Sequence, residues 1–176
     1  MEEALFKNKL NHHSTGIYTL CFLKHRENYL LIKRTKDPNA GFLNGLGGKV
    51  SRFESPEENI QREFEEESGL ILKRFYLRGI LRIVEDKIGK DYLIFVYLAN
   101  KFSGVLRENN TEGQLQWIPS NEIQAFPVVP NIKIFLPLLE ATKKPLEIHF
   151  IYPKGRKGFY YRYNSGSQKI ENYVRD

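Results

Sequence analysis

The stretch from Ser55 to Gly69 fixes a short helix at both ends, and the rest of the chain has to fold around it. Ser55 can cap the first turn, Pro56 suits the first helical position, and Glu58 completes a Ser-x-x-Glu capping box. Gly69 closes the segment at the position where helices turn left-handed. This predicts a helix over 56–68 whose apolar stripe is Ile60 and Phe64, one turn apart.

On either side the chain reads as strands. Residues 16–24 and 29–34, joined at His25-Arg26-Glu27-Asn28, are rich in aromatic and β-branched residues. Further strands are expected at 71–85, 91–99, 114–118, 146–152, 158–163 and 169–174, with helical pieces at 120–124 and 131–142. Turns fall at 86–90, at Lys154-Gly155-Arg156 and at Asn164-Ser165-Gly166-Ser167. Residues 35–48 carry Pro38, Gly41, Gly45, Gly47 and Gly48 and read as a loop that bends sharply or approaches something closely. Strands outnumber helices and are joined mostly by hairpins, which predicts an α+β sandwich with a mixed sheet. No repeat or low-complexity linker divides the 176 residues, so one domain over 1–176 is expected, with polar residues 1–13 loosely held.

Composition adds boundaries. Hydrophobic residues are 41% of the chain, enough for a core, which excludes a disordered segment. The single cysteine, Cys21, excludes an internal disulfide and a thiolate metal cluster, and its apolar neighbours mark it as core. The N-terminus has no apolar run of signal-peptide kind and no stretch approaches a membrane span, so a cytoplasmic protein with no membrane partner is expected. The net charge of +6 suits a phosphate-bearing ligand, but many basic proteins have none. His12, His13, His25 and His149 show no metal-ligand spacing.

On the helix, Glu63, Glu66 and Glu67 stand at i, i+3 and i+4, which puts three carboxylates on one face. Like charges at that spacing repel, and a hard cation, Mg²⁺ or Mn²⁺, would neutralise them. For a bare Glu-rich helix the solvated acidic face is the more common arrangement. This helix, however, follows Gly47-Gly48-Lys49, in the pattern Gly48-x5-Glu54-x7-Arg62-Glu63-Phe64-x-Glu66-Glu67-x-Gly69-Leu70.

That string resembles, at every defined position, the signature box of the Nudix hydrolases, or MutT family; it covers 23 residues, 48–70. The resemblance implies an α/β/α sandwich, a loop-helix-loop that presents metal ligands, and Mg²⁺-dependent (or Mn²⁺-dependent) hydrolysis of a nucleoside diphosphate linked to a further group. It implies metal ligation by Glu63, Glu66 and Glu67. Arg62 would orient Glu63, and Glu54 would support the metal site from behind. Gly48 would let the backbone approach the metal, and Lys49 would lie beside the phosphates. Phe64 and Leu70 fill apolar positions of the box and are expected in the core, while Glu65 is expected to face solvent.

A carboxylate must accept the proton of the attacking water. Glu66 or Glu67 can do so while ligating. Outside the helix, Glu112 is the candidate, since a glutamate ahead of a Trp-containing strand often reaches the metals in MutT-like proteins; a turn residue beside Gly113 is the competing assignment.

Residues 41–50 and 126–139 resemble the Nudix sub-group that hydrolyses oxidised purine nucleoside triphosphates such as 8-oxo-dGTP to the monophosphate and pyrophosphate, sanitising the nucleotide pool. That resemblance implies base contacts from Asn44 and from Asn131, which follows Pro130; a turn residue and a helix N-cap are the competing assignments. Arg34 matches a position near the phosphates, against an exposed strand end. The chain departs from the mammalian members, which have two aspartates after the proline and a tryptophan before it, where this chain has Asn131-Ile132 and Val129. The partner expected is a small-molecule nucleotide, with no stable nucleic-acid complex. Competing functions are a Nudix hydrolase for a dinucleoside polyphosphate, ADP-ribose or an RNA 5′ end, and a non-catalytic Nudix-fold binding domain. The intact Arg62, Glu63, Glu66 and Glu67 argue against the last. A diphosphate isomerase is disfavoured because such enzymes use an active-site cysteine and Cys21 lies mid-strand.

Overall fold

In the first strand Cys21, Phe22 and Leu23 are all fully buried, so the strand is covered on both faces and must lie between two layers. The computed structural model describes residues 15–107, 111–155, 157–165 and 168–174, and it has that layered arrangement. The strands are β1 (Thr15–His25), β2 (Asn28–Arg34), β3 (Leu43–Asn44), β4 (Leu70–Glu85), β5 (Lys90–Gly104), β6 (Gly113–Pro119), β7 (Leu146–Tyr152), β8 (Phe159–Ser165) and β9 (Gln168–Val174). The helices are α1 (Pro56–Ser68) and α2 (Ile132–Ala141), with one 3₁₀ turn at Ser120–Glu122. The strands form one sheet in the order β3-β2-β1-β5-β4-β7-β8-β9, and β6 pairs with β2. It is mixed: β1 runs parallel to β5 and β4 parallel to β7, while hairpins join β1 to β2, β4 to β5, β7 to β8 and β8 to β9.

Alternation along the strands sends side chains into two cores. Ile60 and Phe64 of α1 pack on Cys21, Leu23, Leu30, Ile32, Leu72 and Tyr97. On the other face Phe135, Leu136 and Leu139 of α2 pack on Phe22, Leu31, Leu81, Val96, Ile148 and Phe150. Burying Ile60 and Phe64 contributes about 2–3 kcal/mol each, against about 1 kcal/mol for a cap, so packing rather than capping holds α1.

The expected cap is present all the same. Ser55 Oγ accepts from the Glu58 N–H at 3.2 Å and Glu58 Oε2 accepts from the Ser55 N–H at 2.7 Å. Gly69 has φ 75°.

The sequence reading falls short at several boundaries. β5 runs to Gly104, five residues past the expected end, because its partner β4 begins at Leu70 and gives it a ladder. β4 absorbs the mismatch with bulges between Leu72 and Arg74 and between Leu77 and Gly79. The expected loop 35–48 contains β3, paired to Ile32 and Lys33. The helical piece at 120–124 shortens to one 3₁₀ turn. α2 tolerates Pro137 because the Lys133 carbonyl, which loses its helical N–H partner there, accepts instead from Gln124 Nε2 at 2.9 Å. The loosely held 1–13 and parts of the turns at 154–156 and 164–167 lie outside the described residues. Among those described, no helix is long and apolar enough to cross a membrane.

Candidate active site

The loop from Asn44 to Glu54 and the helix it feeds are tied together by side chains, and the tie explains the box spacing. Arg62 donates to both oxygens of Glu54, Nε to Oε2 at 3.1 Å and Nη2 to Oε1 at 2.9 Å. Its remaining nitrogen, Nη1, lies 2.9 Å from Glu63 Oε1 and 3.1 Å from Glu66 Oε2. One guanidinium therefore spans three carboxylates, which a Lys ammonium cannot do with the same geometry. Hydrogen bonds from Arg62, Asn59 and the Ser51 N–H hold the Glu54 carboxyl well below the usual carboxylate range, and Glu54 in turn raises the Arg62 guanidinium.

Gly48 has a visible reason to be glycine: a Cβ there would sit 2.5 Å from the Glu63 carboxyl carbon. Its missing side chain admits that carboxylate, while its carbonyl accepts from the Thr19 N–H at 2.9 Å. Lys49 is exposed on the same rim.

Glu67 is the buried member of the acidic face, only 8% accessible, and its Oε2 accepts from the Gly47 N–H at 2.9 Å. Burial pushes its carboxyl up to about 7, with the Glu63 and Glu112 charges acting in the same direction; the Gly47 N–H and the Arg34 charge oppose them. Glu112, just ahead of β6, lines the same groove as Glu67. Its carboxylate lies 3.5 Å from Arg34 Nη2 and 3.5 Å from Lys36 Nζ, and its carbonyl accepts from the Thr35 N–H at 3.0 Å. Arg34 is anchored by Nε donating to the Pro38 carbonyl at 3.0 Å. As expected, Phe64 and Leu70 are core and Glu65 is exposed.

From the glutamates an open groove of about 1760 Å³ runs under the head of α2; Arg34, Asn44, Lys49, Glu67, Glu112 and Asn131 all line it. Asn44 does serve the adjacent turn, since its Oδ1 accepts from the Gly45 N–H at 2.9 Å. That leaves its NH₂ for the groove. Asn131 is 7% accessible and heads α2, yet its side chain makes no capping hydrogen bond. The groove floor beyond is apolar and aromatic, with Leu20, Ile94, Phe135 and Tyr152.

Asn59 and Thr19 hold the candidate site together, and the sequence reading missed them. Asn59 is fully buried on the α1 face that packs on the sheet. Its NH₂ donates to the Lys49 carbonyl at 2.9 Å and to Glu54 Oε1 at 2.8 Å, and its oxygen accepts from the Thr19 hydroxyl. An amide one residue before the apolar stripe of a short helix was the available signal.

Glu63, Glu66, Glu67 and Glu112 all offer carboxylate oxygen, and burial, with the Glu63 and Glu112 charges added, lifts the Glu67 carboxyl; hard oxygen donors of this kind suit a divalent cation. Glu63, Glu66 and Glu67, with Glu112 opposite, would hold the ion. Among the described residues no three acidic, His or Cys side chains converge on one point, and Arg62 engages Glu63 and Glu66.

Comparison with known proteins agrees with this geometry. The family model for the NUDIX domain matches residues 12–139. The chain is 31% identical over 133 residues to the oxidized purine nucleoside triphosphate hydrolase of Mus musculus, covering 74% of this chain and 83% of that protein. It is 30% identical over 116 residues to the uncharacterized Nudix hydrolase YvcI of Bacillus subtilis (strain 168), covering 64% and 72%. Among solved structures, the MutT protein from Bacillus halodurans superposes with a TM-score of 0.69 at 27% identity, covering 79% of this chain and 91% of that one. The mixed sheet between two helices is the Nudix α/β/α sandwich, and the chain belongs to the Nudix family of hydrolases, enzymes that cleave phosphorus-containing acid anhydrides.

Proposed function

We propose that this chain is a Mg²⁺-dependent nucleoside triphosphate diphosphatase that takes an oxidised purine nucleotide, of the 8-oxo-dGTP kind, and releases the monophosphate and pyrophosphate. The observation that carries the reading is Asn131: a buried amide at the head of α2 that caps nothing and lines the groove leading to the glutamates. Oxidation at C8 turns purine N7 from an acceptor into a donor and adds a carbonyl. An amide both donates and accepts, so Asn131 can address such a pair of neighbouring groups, and the Asn44 NH₂ can address another acceptor on the base. Similarity to the mouse hydrolase supports the same substrate class.

At the other end of the groove Glu63, Glu66 and Glu67 would hold the ion, with Mn²⁺ as a substitute. When bound, a divalent ion neutralises the diphosphate and lowers the pKa of the attacking water. Arg34 and Lys49 add positive charge for the phosphates. Glu67 or Glu112 accepts the proton from the water, since both line the same groove.

The size of the groove favours a second reading, a longer substrate such as a dinucleoside polyphosphate. At about 1760 Å³ it exceeds the roughly 300–1,000 Å³ common for small-ligand sites.

The deciding measurement is kcat/KM for 8-oxo-dGTP, dGTP and a dinucleoside tetraphosphate with Mg²⁺, for the wild type and Asn131→Ala. We expect 8-oxo-dGTP to be preferred over dGTP by about a hundredfold, because two mismatched buried hydrogen bonds cost about 1–3 kcal/mol each. Asn131→Ala should reduce that preference about tenfold. Equal use of 8-oxo-dGTP and dGTP, or preference for the tetraphosphate, rejects the oxidised-purine assignment.

A further inference from the structure

The last turn of α1 carries Glu66 and Glu67, which line the groove, and it has no basic residue of its own to complement its carbonyl end. Helix C-termini leave carbonyls without helical partners, and something must satisfy them. The Phe64 carbonyl takes the Ser68 hydroxyl and the Glu65 carbonyl takes the Gly69 N–H at 2.8 Å. The other two recorded bonds come from a single distant residue. Arg107 Nη1 donates to the Glu66 carbonyl at 2.8 Å, and the Arg107 N–H donates to the Ser68 carbonyl, also at 2.8 Å.

Arg107 reaches this turn because Gly69 lets it pass. A Cβ on Gly69 would lie 2.6 Å from the Val105 carbonyl oxygen and 2.8 Å from Arg107 Cγ. The glycine of the box thus has a second duty here besides its positive φ: it gives passage to the chain leaving β5.

We propose that Arg107 is a positioning residue for the metal site, tying the carbonyls of Glu66 and Ser68 in the last turn of α1 to the chain leaving β5, so that the carboxylates on that turn keep their placement. The proposal rests on the reading of Glu63, Glu66, Glu67 and Glu112 as the ion's ligands. A cation at a helix C-terminus also offsets part of the negative charge gathered there, which matters on a turn that bears Glu66 and Glu67. Arg107 touches neither substrate nor ion; its effect runs through the backbone of Glu66 and Ser68.

The test uses Arg107→Met, which keeps the alkyl stem over Gly69 and the backbone bond to Ser68 but removes the guanidinium, together with Arg107→Lys. Mn²⁺ affinity is measured by calorimetry well below the melting temperature. In parallel, the Mg²⁺ concentration for half-maximal rate is measured on a nucleotide that the wild type turns over. We expect Arg107→Met to weaken Mn²⁺ binding and raise the half-maximal Mg²⁺ concentration about three- to tenfold, with kcat at saturating Mg²⁺ close to wild type and recovery in Arg107→Lys. A purely structural role would lower the melting temperature and leave the Mn²⁺ affinity unchanged, which would overturn this proposal alone. Failure of the wild type to bind Mn²⁺ would overturn the metal-site reading and this proposal with it.

Discussion

Residues 44–70 and the C-terminal part of the chain from Phe126 onward line the same groove, but they are built in opposite ways. The first is local. Gly48, Glu54, Asn59, Arg62 and Glu63 meet within one loop and one helix, and each is held by at least one hydrogen bond or backbone approach made inside that segment. The second is assembled from distance: Asn131 heads α2 just after Val128 and Val129 bridge to Leu43, and Tyr152 ends β7, which pairs in parallel with β4, some seventy residues earlier in the chain. The family match stops at residue 139, so β7, β8 and β9 lie beyond it. A segment so tightly bound to itself can lose a charge and keep its shape. The C-terminal strands serve mainly as the scaffold of the α2-side core, and changes there should register in stability first.

The largest effect expected is on turnover, from the local segment. Glu67→Gln keeps the size of the side chain and an oxygen for the Gly47 N–H, but it removes a charge from the cation site. We expect kcat with saturating Mg²⁺ to fall about a hundredfold or more, while the melting temperature stays within a few degrees. Near-normal turnover in a folded Glu67→Gln protein would remove the metal role and dissolve the contrast between the two regions.

Arg62→Lys sharpens the same comparison at a smaller scale. The planar fork that spans Glu54, Glu63 and Glu66 cannot be reproduced by an ammonium, so the carboxylates lose their fixed orientation while the net charge is unchanged. An activity loss of roughly tenfold is expected, read as a drop in kcat/KM with an intact far-UV circular dichroism spectrum. Full activity in the lysine variant would mean that the acidic face is an ordinary solvated one.

This division also explains what could be read from the sequence. The cap at Ser55, the closing Gly69 and the i, i+3, i+4 glutamates are short-range patterns, and short-range patterns survive in a linear string. Glu112 was reachable only through its place before the Trp117 strand. Asn131 carried a helix-cap assignment that the structure does not realise, since capping depends on a rotamer and not on residue type. Asn59 was passed over because its partners Thr19 and Lys49 lie 40 and 10 residues away and only the α1–β1 packing brings them together. The pairings of β1 with β5 and β4 with β7 are likewise long-range, so a mixed sheet could be expected but not its order. Arg107 gave no signal at all: an arginine two residues after an exposed valine is ordinary until the fold lays it across Gly69.

The smallest effect expected is on stability, and it belongs to the C-terminal region. His149 lies on β7, in register with Arg82 of β4 and Arg162 of β8. Burial lowers its imidazole to about 4, and the Arg162 and Arg82 charges act in the same direction, with Asp91 opposing them. In the unfolded chain the ring titrates at its ordinary 6.5. Between those two values the unfolded state binds a proton that the folded state refuses, so stability rises with pH through this window. The contribution is fully present above about pH 6.5 and is lost as pH falls to about 4. For a half-buried ring, screened by solvent, the loss should be about 1–2 kcal/mol, or about 3–6 °C in melting temperature for a domain of this size. The Glu67 carboxyl, raised to about 7, titrates in the same window with the opposite sign, so the histidine's share is read as the difference between wild type and variant. His149→Gln removes this titration, so from pH 6.5 to 5 the wild type should lose melting temperature relative to the variant, while kcat at pH 8 remains at the wild-type value. If the variant declines in parallel with the wild type, the acid sensitivity lies elsewhere. If it instead loses turnover at pH 8 with its stability intact, β7 is part of the catalytic apparatus, and the separation drawn between the two regions fails.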